Sequence, residues 1–532
     1  MGAGLVLLAW LCPFWYGPTP AVYPLLWGGS CLALIAITTK PTNKALLSPL
    51  FLVLLTSLGL MIAWRSNSSA NAVAAGLCLM SIGLSAQWAA NISEQDFTSV
   101  IAWGWLFAGV VNAVLGLLQY FGFTQEASSV AFGFLRQRNQ LASLCNLALL
   151  ALLYLWHLKR LSTPLTTVCA GVLVAALAAT CSRAGALQLF TLSLTLIWIA
   201  LGKRTSPATQ HQIRAALVFV LLTYTFCAWL LPTISGAPES VASRVMSMAS
   251  NSGLPLQDSR RVLWDNTLTL IQQSPLLGHG WRELAYALRM SDFGDAIRFD
   301  EQADHAHNLP LQLAAELGLP FTVLWFCAIV WLVLRYKPWA TRAPSQALGW
   351  GVLLIITIHS LLEYPLWYAP FQMATGFACG LLFKQAVPQA AANLVVQHGG
   401  LTGQYPQTLQ RIFGGFLLIF CLYAAFDYHR VTQLFVPPAE RSQLYQNQTL
   451  AHAEKSWLFA NQVLYAKLII TPITESSAHE QYQRAKQVLH FSPEPNVFKL
   501  LIATGSRLEK TDPIVAAELL LYKQRLRLIE GP

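Results

Sequence analysis

The sequence predicts an all-α protein that crosses a membrane many times and carries a large outer loop and a helical C-terminal module. Of the 532 residues, 55% are hydrophobic and only 11% are charged, whereas soluble globular proteins carry about 25% charged residues. Apolar runs long enough to cross a bilayer recur as far as residue 427. The tail that follows is polar. We therefore divide the chain into 1–231, 232–308, 309–427 and 428–532.

The apolar runs set the number of spans. A bilayer core of about 30 Å needs roughly 20 apolar residues per helix, which predicts about 13 spans, or 12 if the short first run does not cross. That first run lacks a basic segment and is followed by another span, so we interpret it as a membrane helix rather than a cleaved signal. The predicted spans are roughly 2–16, 21–38, 45–64, 70–90, 98–121, 139–158, 164–181, 184–201, 213–231, 309–334, 346–362, 366–384 and 409–427.

The basic residues of the short loops predict the orientation. With the N-terminus inside, twelve of them fall on the inner side and four on the outer side, as the positive-inside rule requires. The long loop 232–308 and the tail after Tyr428 then lie outside, in the periplasm if the membrane is the inner membrane of a Gram-negative cell. The inner residues are Lys40, Lys44, Lys159, Arg160, Lys203, Arg204, Arg214, Arg335, Lys337, Arg342, Lys384 and Arg411; the outer ones are Arg65, Arg136, Arg138 and Arg183.

The composition and the absence of several motifs argue against several classes of protein. The net charge of +10 is spread over these loops, which indicates topology rather than nucleic-acid binding. The ten cysteines all fall in or at the ends of apolar spans, so we predict packing residues and no disulfide framework. Phosphate-binding loops of nucleotide hydrolases and the common hydrolase motifs are absent from the sequence, which argues against nucleotide-driven transport.

The long loop carries the most charge in the first 385 residues. A helix is predicted to begin near Asp258 and Ser259, both plausible N-caps. Apolar positions from Leu263 to Ile271 recur at helical spacing, so this helix is expected to lie across the membrane surface. Arg260 and Arg261 occupy its first turn, where the helix dipole and the guanidinium groups favour a phosphate.

Further polar residues follow at the membrane entrance. Asn308 is predicted to cap a long span, which places His307 at the entrance and Glu316 about two turns below. His359 and Glu363 are four residues apart and so share a helix face, next to Tyr364. This pair could be a buried structural pair or could line a cavity, and both interpretations stay open.

The outer arginines are exceptions to the charge bias. Arg136 and Arg138 precede the sixth span, and Arg183 lies in a very short turn between two spans. Ionisable groups at membrane depth are usually functional. The alternative is that these side chains reach the lipid headgroups.

Two interpretations of the histidines follow from the residues alone. Asp304, His305 and His307 offer metal ligands at short spacing, but no further ligand cluster supports a metal, and none is predicted. Arginines could instead neutralise a lipid-linked pyrophosphate and assist its departure. A histidine can accept a proton from an attacking hydroxyl near neutral pH. Together they describe transfer from a lipid pyrophosphate to an alcohol, without a cofactor.

Several segments resemble a known superfamily. Residues 259–264 (SRRVLW) and 305–318 (HAHNLPLQLAAELG) resemble the O-antigen ligase and polymerase superfamily. Residues 136–140 (RQRNQ) and 359–368 (HSLLEYPLWY) resemble its PglL-type protein O-oligosaccharyltransferases, including the pilin-specific branch. The resemblance implies a metal-independent glycosyltransferase that moves an oligosaccharide en bloc from undecaprenyl pyrophosphate to Ser or Thr of an exported protein such as a type IV pilin. Direct attack at the anomeric carbon would make the reaction inverting.

The resemblance also assigns residues. It implies that His307 is essential and that Arg183 and Arg261 bind the donor pyrophosphate, with Arg260 as a neighbour. Arg136 and Arg138 are further donor-side candidates. His305, Asn308, Glu316, His359, Glu363 and Tyr364 are acceptor-side or supporting candidates. His305 has no clear family role, so which of the two histidines acts stays open.

Three hypotheses remain, and the first is a protein glycosyltransferase. The tail has predicted helices at 440–471, 475–490, 494–508 and 512–529 and resembles a degenerate tetratricopeptide-type module. Such a module favours a protein acceptor. A ligase acting on lipid A core, or a glycan polymerase, would use the same chemistry. A lipid or solute transporter would be expected to show internal symmetry, which the sequence lacks.

Overall fold

A computed structural model describes residues 1–40, 45–201, 206–235, 259–294, 296–299, 301, 303–341, 343–386, 405–509 and 512–530. Within these ranges the chain is mainly helical, which confirms the predicted class. The named strands are short: β1 (Ala45–Leu47) pairs antiparallel with β2 (Lys384–Ala386). This ladder joins the N-terminal half of the chain to the C-terminal half.

Ten α-helices are described up to residue 235, and their bounds follow. They are α1 (Gly2–Ala9), α2 (Val22–Thr38), α3 (Pro49–Arg65), α4 (Ser69–Ala90), α5 (Glu94–Phe97), α6 (Trp103–Tyr120), α7 (Arg138–His157), α8 (Thr163–Ala179), α9 (Arg183–Leu201) and α10 (Pro207–Ser235). A π-helical turn, Thr98–Ala102, joins α5 to α6.

Twelve more helices are described after residue 258. They are α11 (Ser259–Gln273), α12 (Leu284–Met290), α13 (Leu309–Leu317), α14 (Leu319–Tyr336), α15 (Pro344–Leu362), α16 (Ala369–Leu382), α17 (Tyr405–Thr432), α18 (Thr449–Ala453), α19 (Ala460–Ile470), α20 (Ala478–Phe491), α21 (Pro495–Gly505) and α22 (Pro513–Glu530).

The length and composition of the helices fit a multi-pass membrane protein. Among the residues that the structure describes, eight helices are long and apolar enough to cross a membrane. Three shorter apolar helices, α2, α3 and α8, accompany them. The larger count of 13 spans stays a prediction. The core is formed where α16 packs on α4 and where α7 is enclosed by α6, α8, α9 and α15.

The predicted continuous span 309–334 is divided into α13 and α14 at Gly318. This glycine has φ +91°, and a Cβ there would lie 2.1 Å from the carbonyl oxygen of Leu276. The loop chain reaches this break, because the amide of Leu319 donates to the carbonyl of Pro275 at 2.8 Å. A close approach of two backbones therefore ends α13, and only glycine permits it.

The helix predicted near residue 259 is present as α11. Its apolar side chains Leu263 and Leu270 are buried against protein, in a cluster with Leu288, Phe299 and Ala315. Part of the apolar face therefore packs on α12 and α13, whereas Leu268 is exposed. This packing brings the first turn of α11 to the start of α13. That the helix lies across the membrane surface stays a prediction.

The C-terminal helices form their own core. Tyr482, Phe498, Leu501 and Leu519 from α20, α21 and α22 are fully or nearly fully buried together. The predicted first tail helix, 440–471, is divided into 3₁₀ turns, α18 and α19. The module contacts the long loop through Tyr286 of α12, whose ring stacks on His490 at 4.0 Å.

Candidate active site

Several polar side chains of the described structure meet at the carboxylate of Glu363. Helix α15 ends at Leu362, and Glu363 follows in an extended conformation with only 5% of its surface exposed. Its Oε1 atom accepts hydrogen bonds from Asn139 Nδ2 at 2.7 Å and from the guanidinium of Arg260. Burial alone would raise the pKa of Glu363, but His307 and Arg260 hold that pKa below its ordinary value. The group is thus a paired carboxylate.

His307 is the second partner of this carboxylate. Its Nδ1 lies 2.6 Å from Oε2 of Glu363, and its ring meets the ring of Tyr364 edge to face at 5.0 Å. The backbone of His307 adopts φ +50°, a left-handed conformation uncommon outside glycine. The side chain is 28% exposed, so the histidine contacts a buried base on one side and is accessible on the other.

His305 lies close by but is bonded through both ring nitrogens. Its Nδ1 lies 2.7 Å from Asp304 Oδ1, and Arg282 Nη1 donates to its Nε2 at 3.2 Å. The ring stacks on Tyr364 at 4.1 Å. Burial lowers the pKa of His305 below its ordinary value of 6.5, against the opposing effect of Asp304. The geometry therefore favours His307 as the reactive histidine.

The two arginines at the start of α11 have different surroundings. Arg260 bonds Glu363 inside the cluster. The side chain of Arg261 is 80% exposed, and its Nε lies 4.0 Å from Asp265. Adjacent residues on a helix point about 100° apart, so one turn presents one arginine to the protein and the other outward.

The remaining arginines lie at the ends of α7 and α9. Arg138 and Arg183 are half-buried at the first positions of these helices. Ser182, beside Arg183, donates to Asn139 Oδ1 at 2.6 Å, and Asn139 in turn donates to Glu363. Arg136 is exposed and pairs with Glu126 on the surface. The structure thus brings the Arg138 and Arg183 turns, but not the Arg136 side chain, to the carboxylate cluster.

Asn308 and Glu316 support the loop rather than enter the cluster. Asn308 caps α13, as predicted, by accepting from the amide of Leu311 at 3.1 Å. Its Nδ2 also donates to the carbonyl of Leu361 at 3.1 Å, which ties α13 to the end of α15. Glu316 is fully buried on α13, where its backbone carbonyl accepts from Gly280 at 3.0 Å.

The ring of His359 joins a buried polar network and does not bond the carboxylate of Glu363, although the amide of Glu363 donates to the carbonyl of His359 at 2.7 Å. Its Nδ1 lies 2.9 Å from Ser143 Oγ, and Ser143 is bonded to Gln188 of α9. Glu363 lies beyond the helix end, so the predicted shared helix face does not extend to it. Both side chains border the same narrow crevice beside Tyr364, which has no room for a water molecule. The buried network fits the structural interpretation of His359, and a cavity-lining role of the pair stays a hypothesis.

A metal centre has little support in this arrangement. Asp304 bonds His305 and lies 3.7 Å from Arg282, while His307 turns to Glu363. Across the described ranges, no three His, Cys, Asp or Glu side chains are grouped as metal ligands. None of the ten cysteines forms a disulfide. The histidines therefore have protein partners in the geometry observed.

A large cavity opens beside the cluster. It has a volume of about 2500 Å³, and its wall includes Arg282, Asp304, His305, Tyr364 and Trp367 together with many apolar side chains from the membrane helices. Sequence reasoning missed Arg282, which has φ +68° and sits in a turn after Trp281. The one available signal was a charged residue directly after Gly280 and Trp281 in the long loop.

Comparisons with known proteins match three consecutive parts of the chain. Residues 131–156 match the family "Protein glycosylation ligase", residues 168–326 match "O-Antigen ligase", and residues 347–512 match "Virulence factor membrane-bound polymerase, C-terminal". These segments of the chain are similar to the O-antigen ligases and the protein glycosylation ligases. The predicted resemblance is thereby confirmed.

Two curated relatives from Acinetobacter baylyi carry more specific names. The "ComP-specific O-oligosaccharyltransferase" is 24% identical over 303 residues, covering 56% of this chain and 52% of the relative. The "General O-oligosaccharyltransferase" is 25% identical over 268 residues, covering 49% of this chain and 45% of the relative. The match therefore spans about half the length of each relative.

The three family matches meet at the cluster. Asn139 lies in the glycosylation ligase match, His307 in the O-antigen ligase match and Glu363 in the polymerase match. The hydrogen bonds of Glu363 connect all three. Hydrogen bonds to the carboxylate of Glu363 therefore join the three matched segments of the chain.

Proposed function

We propose that this protein transfers an oligosaccharide en bloc from undecaprenyl pyrophosphate to a Ser or Thr hydroxyl of an exported protein, such as a type IV pilin. The observation that carries the proposal is the partly exposed His307, held by a buried carboxylate that also binds Arg260. The names of the two relatives support a protein acceptor. The large cavity beside the cluster offers apolar surface to a lipid-linked donor.

In the proposed reaction, Arg183 and Arg261 hold the donor pyrophosphate. Guanidinium groups bind phosphate oxygens through paired, charge-assisted hydrogen bonds. Arg183 is the first residue of α9, where the helix dipole also favours an anion. Arg138, at the start of α7, is a further donor-side candidate.

His307 accepts the proton of the acceptor hydroxyl as that oxygen attacks the anomeric carbon. A new carbon–oxygen bond forms to the acceptor, and the bond to the lipid pyrophosphate breaks. The arginines stabilise the negative charge of the departing pyrophosphate. Attack opposite the leaving group inverts the anomeric configuration, and no metal takes part.

We place the protein in the bacterial inner membrane with this site facing the periplasm. The distribution of basic residues in the short loops supports that orientation. A lipid-linked donor fits this side, where no nucleotide sugar is present.

A second candidate function shares the chemistry but changes the acceptor. The match of residues 168–326 to the O-antigen ligases supports transfer to lipid A core, and the match of residues 347–512 supports a glycan polymerase. The helical C-terminal module and the two named relatives favour a protein.

The deciding experiment measures the intact mass of a secreted type IV pilin. The pilin is co-expressed with this protein and with a lipid-linked glycan pathway. We expect a glycan-sized mass increase that is absent with His307→Ala. An unmodified pilin, in cells where the lipid-linked glycan accumulates, would contradict a pilin acceptor and favour lipid A core or a second glycan.

A further inference from the structure

We propose that Glu363 is the positioning residue of this site: its carboxylate fixes the proton of His307 on Nδ1 and holds Arg260 beside the same histidine. This inference rests on the proposed function. In this proposal, the buried carboxylate of Glu363 sets the distance between the base, His307, and the arginines of the donor site.

The first support is the way the carboxylate is bonded. Glu363 is 5% exposed, and each of its oxygens is used: Oε2 contacts His307, while Oε1 accepts from Asn139 and Arg260. A buried carboxylate without such partners would be very unfavourable. Hydrogen bonds to this carboxylate therefore join three segments that are far apart in the chain, those of Asn139, Arg260 and His307.

The second support is the orientation of the imidazole. A carboxylate can only accept, so the Nδ1 that lies 2.6 Å from it carries the proton. In the neutral ring, Nε2 then keeps its lone pair and can take a proton from a hydroxyl. The left-handed backbone of His307 is a conformation that surrounding contacts must maintain, and the bond to Glu363 is one of them.

The third support is the connection to the arginines. Asn139 links Glu363 to Ser182, which precedes Arg183 at the start of α9. Arg260 is bound to Glu363 directly, which leaves Arg261 as the exposed arginine of the same helical turn. Arg260 therefore has a positioning role, distinct from the donor contact proposed for Arg261.

The test compares Glu363→Gln with Glu363→Asp in the full-length protein. Gln matches the shape of Glu but has no charge and can donate to Nδ1, which favours the wrong tautomer. We expect Glu363→Gln to lower the rate of pilin glycosylation by about 100-fold or more. The KM for the lipid-linked glycan should change by less than threefold, because the donor contacts remain.

Glu363→Asp keeps the charge in a shorter side chain, and we expect at least tenfold more activity than with Gln. A residue needed only for packing would show the reverse order, since Gln fills the same space as Glu. A Gln variant as active as the Asp variant, or more active, would overturn the proposal. Glu480→Gln is the matched control, because Glu480 also pairs with an arginine, Arg484, but its own side chain is 73% exposed. We expect wild-type rates from it.

The same assay separates the two proposals. If the wild-type protein modifies no acceptor, the proposed function fails. If the wild-type protein is active and Glu363→Gln retains more than a third of its rate, the role of Glu363 is refuted while the function stands.

Discussion

The Nδ1 atom of His307 lies 2.6 Å from Oε2 of Glu363, although 56 positions separate the two residues in the chain. His307 ends the long loop, and Glu363 follows helix α15. The contact therefore joins the loop to the membrane helices at one point. It also distinguishes His307 from His305, whose two ring nitrogens are bonded to Asp304 and Arg282.

Replacing His307 by alanine should remove the proposed base without loosening the fold. We expect a fall of about 100-fold or more in pilin glycosylation, the usual contribution of a general base. Intact mass of the pilin over time gives the rate. His479→Ala, on the exposed face of α20, is the control. A His307→Ala protein with full activity and normal abundance would show the assignment to be wrong.

Arg183→Gln and Arg261→Gln should each weaken donor binding. A hydrogen bond to a charged group contributes roughly 1.5–3 kcal/mol, so we expect about a tenfold or larger loss in kcat/KM for the lipid-linked glycan. Arg507→Gln, exposed on the C-terminal module, is the control. Unchanged kcat/KM in both variants would remove these arginines from the donor site.

The His305 cluster should make the protein less stable as the pH falls. The folded-state pKa of His305 lies below its ordinary value of 6.5. The unfolded chain therefore takes up a proton first, and stability is lost as the pH falls below about 6.5. We expect the unfolding temperature to drop by about 1 °C between pH 7.5 and pH 5.5, because one histidine contributes at most about 1.4 kcal/mol over this range. His305→Gln should reduce this pH dependence; an equally steep dependence in that variant would rule out His305 as its source.

Gly318→Ala should disturb the break between α13 and α14. The added Cβ would meet the Leu276 carbonyl oxygen at 2.1 Å, and the φ of +91° is strained for alanine. We expect a loss of at least about 1 kcal/mol in stability and a matching drop in unfolding temperature. Gly171→Ala, where a Cβ meets nothing within 4 Å, should not destabilise the protein. Equal unfolding temperatures for the two variants would contradict this account.

Phe498→Ala should unfold the C-terminal module locally. Phe498 is fully buried between α20, α21 and α22, and its truncation costs about 3–5 kcal/mol. Hydrogen exchange should accelerate in residues 478–530 while α7 stays protected. Ile514→Ala, at a side chain that is 71% exposed, should change exchange little. Retained protection in Phe498→Ala would mean that the module is not held by this core.

Some features could be predicted because they depend on local chemistry. Asn308 has the side chain that a helix N-cap requires, and it caps α13 as predicted. Arg260 and Arg261 fall in the first turn of a helix, as their position before Leu263 and Trp264 indicated. The break at Gly318 was missed because its cause, the Leu276 backbone, lies 42 positions earlier in the chain.

By itself the sequence determined the helical class, the apolar runs, the chemical types of the candidate residues and the resemblance to the ligases. Those properties follow from composition and from motifs that are contiguous in the chain. Only the tertiary structure decided that Glu363 bonds His307, that Arg260 faces inward, and that His305 is bonded on both sides. Such pairings depend on how helices pack, which adjacent residues do not encode.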